Sequence, residues 1–362
     1  MNVEDNKILK DKTFDKSRWI QLPRDVVVGH DALKQLPQVV ADLCLKGSLL
    51  VISGSTTMKT VGETAVALLK DAGMTVDALE VGEITYEEVT RVANHAIALG
   101  SVLLVAVGGG RVIDIAKIVS YNLDIQFISV PTAASHDGIA SSRASIHTDE
   151  GSISVAAHPP LAILADTGIL AAAPHRLMAA GYADTVANYT AVLDWDMSEK
   201  EQNEKVSQYA MTLSMITAEL LVENADKIKL FDENAAWIVT KALFASGVAM
   251  SIAGSSRPAS GGEHKFAHML ERIVPGKALH GEACGIGSII SMYLHGGDWK
   301  KIRQSLKVIG APTTPAELGI SDEQVVEAVL RAKEIRPERF TIFDTNITEE
   351  KAREAVRALY EE

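Results

Sequence analysis

The chain has 362 residues, 47% of them apolar and 23% charged, which excludes a disordered polymer and provides for about two domains. With 35 basic and 47 acidic residues the net charge is −12, a poor balance for gripping nucleic acid or an anionic membrane. Two cysteines, Cys44 and Cys284, make no disulfide framework. The charged start, residues 1–15, has no apolar core of a signal peptide, and no run of 18 uncharged apolar residues is found. These features lead us to expect a cytoplasmic protein without membrane insertion.

Strand and helix signals alternate through the first half. Asp25–Gly29 reads as a strand, and Ala32–Leu45 repeats apolar residues at helical spacing. A buried strand over Ser48–Ser53 precedes an amphipathic helix over Thr56–Ala72, which stops at Gly73. Met74–Val81 is a strand. Thr85 and Glu88 fit a capping box for a helix reaching Ala98. Ser101–Val107 is the clearest strand, followed by a helix over Arg111–Tyr121 and a strand over Ile125–Val130. Ser145–His147 and Ser152–Ala156 suggest a hairpin, and Leu161–Ala165 a last strand. Continuous apolar strands between amphipathic helices predict a parallel sheet covered on both faces. After Pro174 the texture is helical: Arg176–Asp194, Glu201–Glu223 and Asn234–Ile252, then a linker-like patch at Gly254–Gly262. The tail, Ile347–Glu362, reads as a solvated surface helix. The domain break is placed at residues 170/171, within a transition spanning 166–175.

Gly108, Gly109 and Gly110 lie between the clearest strand and a helix. Backbone can approach a phosphate there, and a helix N-terminus supplies free N–H groups. Ile113 occupies the third glycine position of G-x-G-x-x-G, so the standard dinucleotide pattern is not met. Asp114 could cap or polarise this loop. Glu80 and Ser53-Gly54-Ser55, at earlier strand ends, are further candidate nucleotide contacts. The Ser-rich segment 132–142 follows the next strand, where open sheets place ligands.

Three of the ten histidines, His264, His268 and His280, crowd between 264 and 280. His264 and His268 share a helix face. Neutral imidazoles suit Zn²⁺ or Fe²⁺. Position 265 is Lys, so this is not H-E-x-x-H. A third ligand must come from elsewhere; Asp184 is a candidate, and Cys284 a weaker one.

Gly108-Gly-Gly-Arg-Val-Ile-Asp-Ile-Ala-Lys117, Val130-Pro-Thr-Ala-Ala-Ser135 and the Asp184, His264, His280 set together resemble one superfamily across nearly the whole chain. It holds the glycerol dehydrogenases, the iron-containing alcohol dehydrogenases and 3-dehydroquinate synthase. Three further segments, Ser135–Ser145, Gly261–His268 and Ala278–Gly285, are most similar to the archaeal sn-glycerol-1-phosphate dehydrogenases.

That resemblance implies an α/β N-terminal domain (1–170) binding NAD or NADP on a Rossmann-like parallel sheet. An all-α C-terminal domain (171–362) would bind metal and substrate, with the active site in the cleft between. It implies cofactor contacts at Gly108, Gly109, Gly110, Arg111, Val112, Thr132, Ala133, Ala134, Ser135 and Ser141. Asp184, His264 and His280 would hold Zn²⁺. Asp137 and His268 would be catalytic and, with Asp184, touch substrate. The reaction implied is reversible, metal-dependent reduction of dihydroxyacetone phosphate to sn-glycerol 1-phosphate, for the glycerophosphate backbone of archaeal membrane lipids. A polyol dehydrogenase acting on glycerol is the alternative. The expected partner is thus a small phosphorylated molecule, with no nucleic acid and with assembly as a homo-oligomer. A dianionic substrate on an acidic protein requires a local cationic pocket. Arg143, Arg257, Lys265 and Lys277 are named for it as a set.

Overall fold

The computed structural model describes residues 20–148 and 151–361. The charged start at 1–15 lies outside the described residues, as do Asp149 and Glu150 between the hairpin strands. Six parallel strands form the sheet: β1 (Asp25–Gly29), β2 (Ser48–Gly54), β3 (Val76–Val81), β4 (Ser101–Gly108), β5 (Gln126–Pro131) and β8 (Ala162–Asp166), in the order β1-β8-β5-β4-β2-β3. A separate antiparallel hairpin pairs β6 (Arg143–Thr148) with β7 (Gly151–Ala156).

The run of apolar residues in β2 and β4 reflects burial on both faces. Leu50, Ile52, Leu104 and Ala106 enter the core shared with the C-terminal helices. Their alternate neighbours Leu49, Val51, Leu103 and Val105 enter a second core beneath the helices 36–42 and 63–71. The connection leaving β2 runs to β3, on one side of it. That leaving β4 runs to β5, on the other. The crevice beyond the carboxyl ends of β2 and β4 is therefore the topological switch point, where sheets of this kind bind ligands.

Several expected helices differ in their ends. The Thr85 hydroxyl does cap its helix (Tyr86–Leu99), accepting from Glu88 N at 3.2 Å, but Glu88 turns to Gly82 N (2.6 Å), so the box is not reciprocal. The expected helix over 176–194 is two, His175–Val186 and Asn188–Gln202, meeting at Ala187. Residues 201–207 are not helical throughout. Asn203 takes a left-handed conformation (φ 55°) that ends one helix, and Ser207 caps the next at Gln208–Glu223.

The patch at 254–262 is no linker. Arg257, Pro258 and Ala259 form a buried 3-10 turn. The tail helix, Glu349–Ala358, also departs from expectation, because it buries Ala352, Ala355 and Val356 along one stripe. The helix Glu233–Ala253 is long and apolar enough by composition to cross a membrane, yet 61% of that stretch is buried against the rest of the protein. Its exceptional apolarity is that of a central core helix.

Candidate active site

The first half of the site is backbone. Gly109 stands at the N-terminus of the helix Gly110–Leu123 in extended conformation (φ −78°). A Cβ built at Gly109 meets nothing within 4 Å, whereas one at Gly110 would sit 1.9 Å from His136 Nε2. The middle glycine thus leaves an open approach to free N–H groups, and the third is packed shut. Gly109→Ala should therefore fold normally while weakening dinucleotide binding by on the order of tenfold. Titration of NADH fluorescence against wild type and variant checks this.

The neighbouring strand register sets Gly108 beside Pro131, so the loop from Thr132 lies against the glycine turn, with Thr132 N donating to Gly108 O at 3.0 Å. Val112, Thr132, Ala133, Ala134 and Ser141 are buried there, and Ser135 is half-buried. Arg111 lies on the rim, paired with Glu83. Ser53 is not available to a nucleotide, because its buried hydroxyl donates to Val107 O (2.6 Å). Glu80 is exposed on the edge strand β3. Asp114 is structural: its two oxygens accept from Lys117 Nζ and Ser145 N, both at 2.9 Å.

The second half is a cluster of side chains. The helix His175–Val186 contributes Asp184, the helix Gly262–Ile273 contributes His264, and the helix His280–Leu294 contributes His280 and Cys284. Gly281 allows the close approach that unites them, since a Cβ there would lie 2.0 Å from Ala180 O. One ligand atom from each of these four residues falls within 4.8 Å of the others. Both His264 Nε2 and His280 Nε2 stand 3.7 Å from Asp184 Oδ1. That oxygen is buried and has no hydrogen-bond partner among the described residues.

Burial pushes the Asp184 carboxyl up to about 7, with the Glu263 carboxylate adding to it. Burial pushes His264 and His268 well below the usual histidine range, and His280 is lowered too, less so because its side chain is 40% exposed. They are neutral at pH 7, the form that ligates a metal. An orphaned carboxylate oxygen facing two neutral imidazoles fits a divalent cation such as Zn²⁺ or Fe²⁺.

Glu263, not singled out from the sequence, supports this set. Its Oε1 meets His264 Nδ1 at 3.0 Å and accepts from Gly261 N, while Oε2 accepts from the Thr190 hydroxyl at 2.7 Å. Nδ1–H donation to Glu263 turns the Nε2 lone pair toward Asp184. Glu263→Gln should weaken metal affinity about 10- to 100-fold. Competition with a chromogenic chelator measures it.

Asp137 opens the 3-10 turn Asp137–Ile139 beside the cluster. Its N–H donates to Asp184 Oδ2 (3.0 Å), and its own Oδ2 accepts from the Ser246 hydroxyl (3.0 Å). Burial, then the Asp184 carboxylate, push it up to about 7. The His268 and His280 rings lie 5.6 Å apart. Asp137, His264, His268 and His280 line one cavity of about 480 Å³, of a size suited to a small ligand.

The expected cationic set is largely corrected. Lys265 turns away from the cavity and binds Asp344 (2.7 Å) and Arg339 O (2.9 Å). Arg257 is paired with Glu204 inside the fold. Lys277 is exposed and outside the cavity lining. Only Arg143 of the four lines the cavity, where it is joined by Arg336, which sequence reasoning missed.

A glycine turn at the switch point of a parallel sheet, facing a carboxylate–imidazole cluster on helices, defines a dehydrogenase of the iron-containing alcohol dehydrogenase class. Residues 27–174 match the family model described as iron-containing alcohol dehydrogenase. The fold is shared with a probable glycerol dehydrogenase from Sinorhizobium meliloti (TM-score 0.75, 24% identity, 95% of this chain and 98% of that one). It is shared also with a glycerol dehydrogenase from Schizosaccharomyces pombe (TM-score 0.80, 21% identity, 95% and 90%). Within that class, the chain belongs to the glycerol-1-phosphate dehydrogenase family. It is 74% identical over 362 residues, the full length of both chains, to glycerol-1-phosphate dehydrogenase (NAD(P)+) of Methanocorpusculum labreanum. It is 58% identical to that of Methanoregula boonei, over 99% of each.

Proposed function

We propose that the chain reduces dihydroxyacetone phosphate to sn-glycerol 1-phosphate with NADH or NADPH, reversibly. The product would serve as the glycerophosphate backbone of archaeal lipids. The observation that carries this reading is full-length identity of 74% to a relative named for that activity, together with an intact Asp184, His264, His280 set. Residues 1–170 are assigned to the dinucleotide and 171–362 to metal and substrate. Gly108 to Val112 and Thr132 to Ser135, with Ser141, are assigned to the cofactor.

Asp184, His264 and His280 would hold Zn²⁺, which when bound supplies Lewis-acid polarisation of the ketone oxygen. The chain's own residues do the rest. The glycine turn anchors the cofactor diphosphate through backbone N–H groups, so that the nicotinamide reaches the cleft. The bound dinucleotide would supply hydride to the ketone carbon, and the ketone oxygen must gain a proton. Asp137, oriented by the Ser246 hydroxyl and bonded through its N–H to Asp184, is assigned to give that proton. His268, half-buried in the cavity wall, orients a substrate hydroxyl by hydrogen bonding.

The test is oxidation of NADH and NADPH with dihydroxyacetone phosphate and with free dihydroxyacetone, followed by chiral analysis of the product. Preference for the phosphorylated ketone and formation of the 1-phosphate enantiomer support the reading. Preference for the free polyol would move the chain to a glycerol dehydrogenase activity.

A further inference from the structure

A phosphate dianion inside an acidic protein needs cations that the fold does not already use. Arg143 and Arg336 are the two guanidinium groups lining the cavity. Arg143 leaves strand β6, with Nε and Nη2 donating to Ser154 Oγ (3.2 Å) and Ser154 O (2.8 Å). Those bonds fix its plane and leave Nη1 unused. Arg336 sits in the loop after the 3-10 turn Ala332–Glu334, in a left-handed conformation (φ 47°), with its carbonyl accepting from Arg339 N at 2.9 Å. Its side chain makes no hydrogen bond or ion pair among the described residues.

The Arg336 charge acts on Arg143, and on His264 and His268 across the same cavity. None of the cavity's carboxylates pairs with either guanidinium: Asp114 binds Lys117, Asp137 accepts from Ser246, and Glu271 accepts from Gly276 N (3.2 Å). Glu338 attracts Arg336 from the exposed side of the loop but forms no hydrogen-bonded pair with it, so two half-buried cations face one space and an anion between them would relieve their repulsion. Guanidinium groups present parallel N–H donors that match phosphate oxygens.

We propose that Arg336, with Arg143, forms the phosphate clamp of the substrate site, holding the phosphate of a small phosphoketone while its carbonyl meets the Asp184, His264, His280 cluster. The clamp determines specificity for phosphorylated over free ketones. It rests on the phosphoketone reading above, and deepens it by naming the groups that read the phosphate.

Arg336→Gln is the direct test, because that side chain supports no other group. The ratio of kcat/KM on dihydroxyacetone phosphate to that on dihydroxyacetone should fall about 50-fold, mainly through KM. Arg336→Lys, which keeps charge and loses the fork, should fall in between. An unchanged ratio in Arg336→Gln overturns the clamp. Calorimetric titration of both proteins with inorganic phosphate stands apart from the ketone assignment. If wild type binds phosphate and Arg336→Gln does not, the clamp holds even should the substrate be another phosphorylated molecule. Equal binding by both, or none by wild type, overturns it.

Discussion

Asp184→Asn should abolish ketone reduction, by about 10³-fold or more, and at the same time stabilise the metal-free fold. The first effect follows from removing the single anionic donor between two neutral imidazoles, and with it Lewis-acid assistance of several kcal/mol. The second follows from burial. Asp184 is 2% exposed, and one of its oxygens has no hydrogen-bond partner among the described residues. Its carboxyl, raised from 3.8 to about 7, keeps its proton longer in the folded chain than in the unfolded one. Metal-free stability is therefore unaffected below pH 4, falls as pH rises toward 7, and stays reduced above it. The full loss is on the order of 4 kcal/mol, at 1.36 kcal/mol per pH unit. An amide accepts the Asp137 N–H bond without that cost. Thermal melts of chelated wild type and variant between pH 5 and pH 8 should diverge with rising pH, the variant higher. Parallel curves would contradict this account of the cluster.

The second large effect concerns the support beneath the cavity. Lys117 is wholly buried, and its ammonium donates to Asp114 (2.9 Å), Arg143 O (2.6 Å) and Ser141 Oγ (3.4 Å). Asp114 in turn holds Ser145 N. This pair fastens the helix after the glycine turn to the strand that carries Arg143. Lys117→Met keeps the volume but strands a buried carboxylate, which costs about 3–5 kcal/mol. Urea denaturation should show the loss as a lower midpoint with an unchanged slope. The double variant Lys117→Met with Asp114→Leu should recover a large part of it, because no unpaired charge remains. A single variant as stable as wild type would show that the pair does not carry the hairpin.

Much of this arrangement was legible in the sequence, for identifiable reasons. Strands buried on both faces are continuous apolar runs, so Ser48–Gly54 and Ser101–Gly108 announce a parallel sheet. The glycine turn is readable because it sits between a strand and a helix. The i,i+4 spacing of His264 and His268 puts them on one face, but spacing alone cannot reach Asp184, some 80 residues earlier; the sequence offers it as one candidate carboxylate, and the resemblance singles it out.

What failed was long-range pairing. Lys265 lies in the same motif as His264, yet one residue along a helix turns a side chain by about 100°. Lys265 therefore meets Asp344 on the far side. Arg257 sits in a Gly/Ser/Pro-rich stretch that reads as linker, and its burial is explained by distant partners, Glu204, Ser198 and the Phe340 carbonyl. Arg336 belongs to a loop with no periodicity, and nothing local shows that it reaches the cavity. Glu263 is legible only once His264 is placed.

We propose that ketone reduction depends on a metal held by Asp184, His264 and His280. It is tested most directly by NADH oxidation with dihydroxyacetone phosphate, using protein stripped by chelator and verified metal-free by elemental analysis. The stripped protein should give no oxidation and recover on adding about one equivalent of Zn²⁺ or Fe²⁺ per chain. Full activity in verified metal-free protein would contradict it.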